Sequence, residues 1–142
     1  MEMYLPSNIE LLPVVEGVTE SITERLGFDE QGRDGISISV IEAASNAIIH
    51  GNKHDLDKEI VVSFHWDDDS FTVKIKDSGQ GFDPDKIPDP LAEENILREN
   101  GRGIFLIRSF MSDVKFHFTP SDGTTVELIY SRNQLDSKEK MD

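Results

Sequence analysis

The chain has 142 residues and no cysteine, and 28 acidic against 14 basic residues give it a formal net charge of −14. That length and a hydrophobic fraction of 37% suit one compact domain with an apolar core, and the composition excludes disulfides, thiolate metal sites and a cysteine nucleophile. The acidity works against binding nucleic acid or anionic membrane and favours basic protein surfaces. No apolar run reaches the roughly 20 residues of a membrane span. The acidic opening MEMYLPSNIE lacks a signal-peptide pattern, so the expected compartment is the cytoplasm.

The first helical pattern covers 9–26, with Leu12, Val15, Val18, Ile22 and Leu26 at spacings of three and four; Ser7 or Asn8 can cap it and Gly27 can end it. A second helix fits 34–50, striped by Ile36, Val40, Ile41, Ala44, Ala47 and Ile48 and stopped by Gly51-Asn52. Period-two alternation follows. Ile60, Val62, Phe64 and Trp66 form one strand, and Phe71, Val73 and Ile75 form its hairpin partner across Asp67-Asp68-Asp69-Ser70. After a Gly/Pro/Asp-rich loop over 78–100 comes a helix over 103–111. A second hairpin joins Val114, Phe116 and Phe118 to Thr124, Val126, Leu128 and Tyr130 through Pro120-Ser121-Asp122-Gly123. This order predicts an α+β sandwich over 1–130, followed by a polar tail over 131–142.

Four places carry chemistry. Glu42, Asn46 and His50 are spaced four apart and share one helix face, where a carboxylate can orient or deprotonate a hydroxyl and an amide oxygen can ligate a hard cation such as magnesium. The same spacing also fits a helix whose polar edge simply meets solvent. Asp77 has the strand parity of Phe71, Val73 and Ile75, which puts a carboxylate on the core face, where it needs a donor such as the exocyclic amino group of a base. Gly79 and Gly81 follow it and let a flat ligand approach, although an Asp-Ser-Gly turn closing a strand reads the same way. Gly101-Arg102-Gly103 opens the third helix and can aim its amides at an anion, with Arg102 adding charge. Thr124, after Gly123, lies on the apolar face, from which its hydroxyl can reach the site of Asp77.

Other candidates are weaker. His54, His65 and His117 have no partner at metal-ligand spacing, Trp66 reads as packing, and Ser39 and Ser45 lack a His-Asp arrangement for nucleophilic catalysis.

Taken in order, Glu42-x-x-x-Asn46, Asp77-x-Gly79-x-Gly81, Gly101-x-Gly103 and Gly123-Thr124 resemble the motifs of the GHKL superfamily of ATP-binding domains, which includes gyrases, heat-shock chaperones, histidine kinases and MutL. The resemblance extends over 5–130. The stretches Glu42-Ala43-Ala44-Ser45-Asn46-Ala47-Ile48-Ile49-His50-Gly51 and Gly101-Arg102-Gly103-Ile104-Phe105-Leu106-Ile107 are most similar to the bacterial anti-sigma-factor serine kinases of partner-switching systems.

That resemblance implies a Bergerat-type two-layer sandwich with a mixed, mostly antiparallel sheet and helices on one face. It implies a protein serine/threonine kinase using ATP and Mg2+. Glu42 is then the catalytic carboxylate and Asn46 the metal ligand, Asp77 accepts from adenine with Thr124 assisting, and Gly79, Gly81, Gly101, Arg102 and Gly103 shape the pocket and a lid over 84–102. The implied partners are a sigma factor and an anti-sigma antagonist protein, with a homodimer as the assembly and neither nucleic acid nor membrane among the ligands. The lid departs in charge: Asp83, Asp85, Asp89, Glu93, Glu94 and Glu99 face only Lys86 and Arg98, which leaves phosphate contacts to magnesium and backbone amides. Two other functions fit the same residues, a nucleotide-gated binding module without kinase activity and a detached ATP-binding module of a two-component histidine kinase.

Overall fold

The computed structural model describes residues 1–79 and 102–132. The chain opens on β1 (Glu2–Pro6), then a 3-10 turn (Ile9–Leu11) leads into α1 (Leu12–Arg25). Asn8 caps the turn by accepting from Glu10 N, Pro13 sits in the first turn of α1, and Gly27 leaves it at φ +84°. Next come α2 (Glu30–Asn46), a π turn (Ala47–Gly51), β2 (Glu59–Trp66) and β3 (Ser70–Lys76). Beyond the undescribed residues lie α3 (Arg102–Phe110), β4 (Asp113–Thr119) and β5 (Gly123–Ser131).

The strands form one sheet in the order β1-β2-β3-β5-β4, and all four pairings are antiparallel. Hairpin chemistry sets the registers. Asp67 accepts from the amides of Asp69 and Ser70, which closes β2 onto β3 with Phe71 opposite Trp66. Gly123 adopts φ +90° and Asp122 N donates to Thr119 O, which turns β4 into β5.

One sheet face is apolar and carries the helices. Ile60, Val62, Phe64, Phe71, Val73, Ile75, Leu128 and Tyr130 are buried there against Val15 of α1, Ile36, Val40 and Ala44 of α2, and Ile104 and Ile107 of α3. Each large apolar side chain so buried contributes about 1.5–3 kcal/mol. Phe28, between α1 and α2, packs edge-on against both Phe71 and Tyr130. Helix α2 lies between α1 and α3 and touches β3 and β5, so it holds the layers together.

Several details depart from the periodicity. Helix α2 starts at Glu30 rather than near Asp34, because Asp29 caps Gly32 N at 2.7 Å, and Gly32 and Gly35 let Tyr130 and Phe110 approach its backbone. It also ends at Asn46, four residues before His50, and continues as the π turn. Thr19 and Thr23 fill the core face of α1, their hydroxyls bonded to the carbonyls of Val15 and Thr19 one turn back. Trp66, expected as packing, is 46% exposed and only stacks over the edge of Phe71. Strand β1 has no counterpart in the sequence-based expectation. At the other end, Ser131 still pairs with Ser70, and Arg132 donates to Leu26 O and lies over the Phe28 ring, so these two residues of the polar tail are anchored. The remaining tail, 133–142, lies outside the described residues.

Candidate functional site

Asp77 follows the last residue of β3 and keeps the strand's parity, so its side chain enters the helix-covered face with only 6% of the residue exposed. Its amide donates to Thr124 O at 2.9 Å, which extends the ladder with β5 by one more step. Its Oδ1 accepts from Gly79 N at 3.0 Å and from Thr124 N at 3.2 Å. Among the described residues no donor reaches Oδ2. Burial raises the carboxyl above its ordinary value of 3.8, while the two amides and the charges of Lys58 and Lys76 act to lower it. An acceptor with one oxygen anchored and the other open is suited to an amino group arriving from a ligand.

Three glycines make room for this carboxylate. A Cβ on Gly51 would overlap Asp77 Oδ2, one on Gly79 would overlap Gly51 O, and one on Gly123 would overlap Asp77 O. Gly51 gets there through the π turn, in which Asn52 N bonds Ala47 O five residues back. Asn52 follows, 1% exposed, donating from Nδ2 to Ser7 Oγ and Glu59 O and accepting at Oδ1 from Ser78 N. Lys53 and His54 then adopt φ +54° and +60°, a left-handed stretch that lets His54 N reach Ile48 O.

The second cluster sits between α2 and α3. A Cβ on Gly103 would come within 2.8 Å of Glu42 Oε2 and 3.7 Å of Asn46 Nδ2, so the helix-opening glycine lies directly over the Glu-Asn pair. Both side chains are half-buried, and among the described residues no hydrogen bond holds either. His50 does not share this arrangement: the π turn breaks the 3.6-residue period before it, and it is exposed.

The structure therefore brings Asp77, Gly79 and Thr124 into one corner, and Glu42, Asn46 and Gly103 into another. Thr124 contacts Asp77 through its backbone; no hydrogen bond of its hydroxyl is among those formed by the described residues. Gly81, Gly101 and the lid over 84–101 lie outside the described residues, as does the side chain of Arg102, whose backbone opens α3. Gly51 and Asn52 were legible in the sequence only as a helix stop. A buried asparagine next to a glycine, satisfying backbone groups of Glu59 and Ser78 and the hydroxyl of Ser7, is a tertiary signal that spacing does not carry. Among the described residues no cluster of three acidic or histidine side chains could hold a metal.

Residues 5–130 match the histidine kinase-like ATPase domain. The chain belongs to that family. ATP is accordingly the nucleotide of this ATPase domain. The serine-protein kinase RsbW of Oceanobacillus iheyensis is 32% identical over 123 residues, which is 82% of this chain and 78% of that protein. Proteins of the same name from Listeria innocua and Halalkalibacterium halodurans are 26% and 28% identical over 97% of this chain, covering 92% and 88% of their own lengths. Among solved structures, the histidine kinase domain of a blue-light-activated histidine kinase from Erythrobacter litoralis aligns with 91% of this chain at a TM-score of 0.60 and 17% identity. The match spans 62% of that longer chain, and the likeness is one of fold. Among the described residues no helix of the ATPase domain is long and apolar enough to cross a membrane.

Proposed function

We propose that the protein is a bacterial anti-sigma serine/threonine kinase that transfers the γ-phosphoryl group of ATP to a hydroxyl of an anti-sigma antagonist protein, and that it binds a sigma factor in the alternate state of the switch. The observation that carries this reading is the buried Asp77 carboxylate, with Oδ1 held by two backbone amides and, among the described residues, no donor on Oδ2. The serine-protein kinases that share 25–32% of its residues support the choice of serine or threonine as the acceptor.

In this reading adenine docks against Asp77, its amino group donating to Oδ2, with Gly79 and Gly123 leaving space for the ring and Thr124 beside it. The triphosphate runs toward the start of α3, where Gly101, Arg102 and Gly103 offer backbone amides and a cation to the phosphates. Glu42 orients the partner's hydroxyl and takes its proton as the oxygen bonds to the γ-phosphorus and the bond to the β-phosphate oxygen breaks, releasing ADP. Asn46 supplies an amide oxygen one helical turn from the Glu42 carboxylate, a hard-donor pairing that fits Mg2+. When bound there, the ion would neutralise phosphate charge. By the motif resemblance Gly81 is assigned to the pocket and the segment over 84–102 to the lid, both as part of this proposal. The kinase works in the cytoplasm as a homodimer on protein partners.

The test is phosphotransfer to a purified antagonist. Glu42→Gln is expected to reduce transfer at least 100-fold while ATP still raises the melting temperature as in wild type. Equal transfer by Glu42→Gln would overturn the catalytic assignment. ATP-dependent partner binding without any transfer by wild type would instead show a nucleotide-gated binding module.

A further inference from the structure

We propose that Asn52 is the positioning residue of the base pocket: its carboxamide fixes the turn after β3 and thereby sets the direction in which Asp77 Oδ2 faces. This inference rests on the reading of Asp77 as the base acceptor. The orientation of the carboxamide follows from its partners. Glu59 O can only accept, so Nδ2 must face it, and Ser78 N can only donate, so Oδ1 must face that amide, at 2.8 Å. Ser7 Oγ already donates to Lys58 O, which leaves its lone pair to accept from Nδ2 at 2.8 Å. The flipped carboxamide would lose the bonds to Glu59 and Ser78, and could keep Ser7 only by taking its hydroxyl from Lys58 O.

The two amides after Asp77 are held by different side chains. Ser78 N goes to Asn52 Oδ1 and Gly79 N goes to Asp77 Oδ1. Rotating the first peptide unit rotates the second, so releasing Ser78 N shifts the amide that anchors Asp77 Oδ1. Asn52 also fixes the opposite wall, because its own amide closes the π turn onto Ala47 O and so holds Gly51 against Oδ2. One residue therefore ties together the two pieces of backbone that flank the carboxylate. It links them through Ser7 to the segment between β1 and α1 as well. A residue that merely ended a helix would need neither its burial nor its three side-chain bonds.

Equilibrium binding of ATP is compared with that of inosine triphosphate, which has an oxo group where adenine has its amino group. Wild type, Asp77→Asn, Asn52→Ala and Ser7→Ala are measured, with melting temperatures of the free proteins recorded alongside. Wild type is expected to prefer ATP and Asp77→Asn to lose that preference. Asn52→Ala is expected to keep about one tenth of it, with inosine triphosphate affinity within about twofold of wild type. Ser7→Ala, which leaves Asn52 in place but removes one of the two acceptors of its Nδ2, is expected to keep about one third. A merely structural role would lower the melting temperature without moving the ratio of the two affinities. A wild-type ratio in folded Asn52→Ala, with the ratio lost in Asp77→Asn, would overturn this inference alone. Should Asn52→Ala not fold, an unchanged ratio in Ser7→Ala would overturn it. The absence of any preference in wild type would overturn the reading of Asp77 and this inference with it.

Discussion

The corner around Asp77 and the groove around Glu42 are built from opposite materials. At Asp77 the polar contacts run to backbone amides, glycines bring main chain against the carboxylate, and the group is almost wholly buried. At Glu42 and Asn46 two half-buried side chains lie under a glycine, and among the described residues neither is tied by a hydrogen bond. Under the proposed reading, the first region offers the base a fixed acceptor and the second is completed by the nucleotide and the partner. Recognising a base depends on a fixed acceptor, because a displaced acceptor loses its selectivity along with its bond. Moving a phosphoryl group depends on side chains that can follow charge as it shifts from one oxygen to another.

Adding one methyl group to each region tests this contrast most severely. Gly123→Ala forces a Cβ onto Asp77 O at a residue with φ +90°, and neither backbone can yield. We expect a loss of about 3 kcal/mol in urea unfolding. Gly103→Ala instead meets the flexible end of Glu42, which can swing aside. Its expected cost is about 1 kcal/mol or less, with phosphotransfer falling at least tenfold while ATP binding persists. Equal destabilisation by the two variants would break the comparison.

Asp77→Asn probes the rigid corner without changing its shape. The amide oxygen can still accept from Gly79 and Thr124, but a donor then replaces Oδ2 and confronts the adenine amino group. ATP affinity is expected to fall about 100-fold by calorimetry. The free protein responds differently. Burial raises the Asp77 carboxyl above 3.8, so between 3.8 and the raised value the native chain holds a proton that the unfolded chain has released. Asp77 therefore favours the fold most below pH 3.8, and this contribution is lost as pH rises through the raised value. Relative to wild type, free Asp77→Asn should gain stability across that same rise in pH. A wild-type advantage that grew with pH would contradict the sign.

Two smaller effects serve as controls. Arg132→Ala removes a bond to Leu26 O at 2.6 Å and a cation over the Phe28 ring, and should cost about 1–2 kcal/mol while leaving nucleotide affinity unchanged. Asp122→Asn breaks only the exposed Lys76 bridge and should fall within about 0.5 kcal/mol of wild type in the same unfolding assay.

Much of this molecule is written in local pattern. Strand alternation placed Asp77 on the core face, since parity carries one residue past Lys76 without tertiary help. The four-residue spacing of Glu42 and Asn46 sufficed to put them on one face, because a regular helix converts spacing into direction. Strand β1 was less legible: only Met3 and Leu5 alternate inward, and two apolar positions become a strand only when the β2 edge pairs with them. The early start of α2 was hidden by Gly32 and Gly35, which lower helix propensity but admit Tyr130 and Phe110. Gly51 and Asn52 were hidden more deeply. Their roles depend on a π turn and on Ser7, Glu59 and Ser78, which lie up to 45 residues away in sequence. Composition and periodicity determined the helix and sheet layers and the facing of Glu42, Asn46 and Asp77, because those follow from neighbours along the chain, whereas His50 and Trp66 escaped them. Which backbone closes around the carboxylate was decided only by the tertiary structure, because burying a charge requires donors from several segments at once, and no single stretch of sequence supplies them.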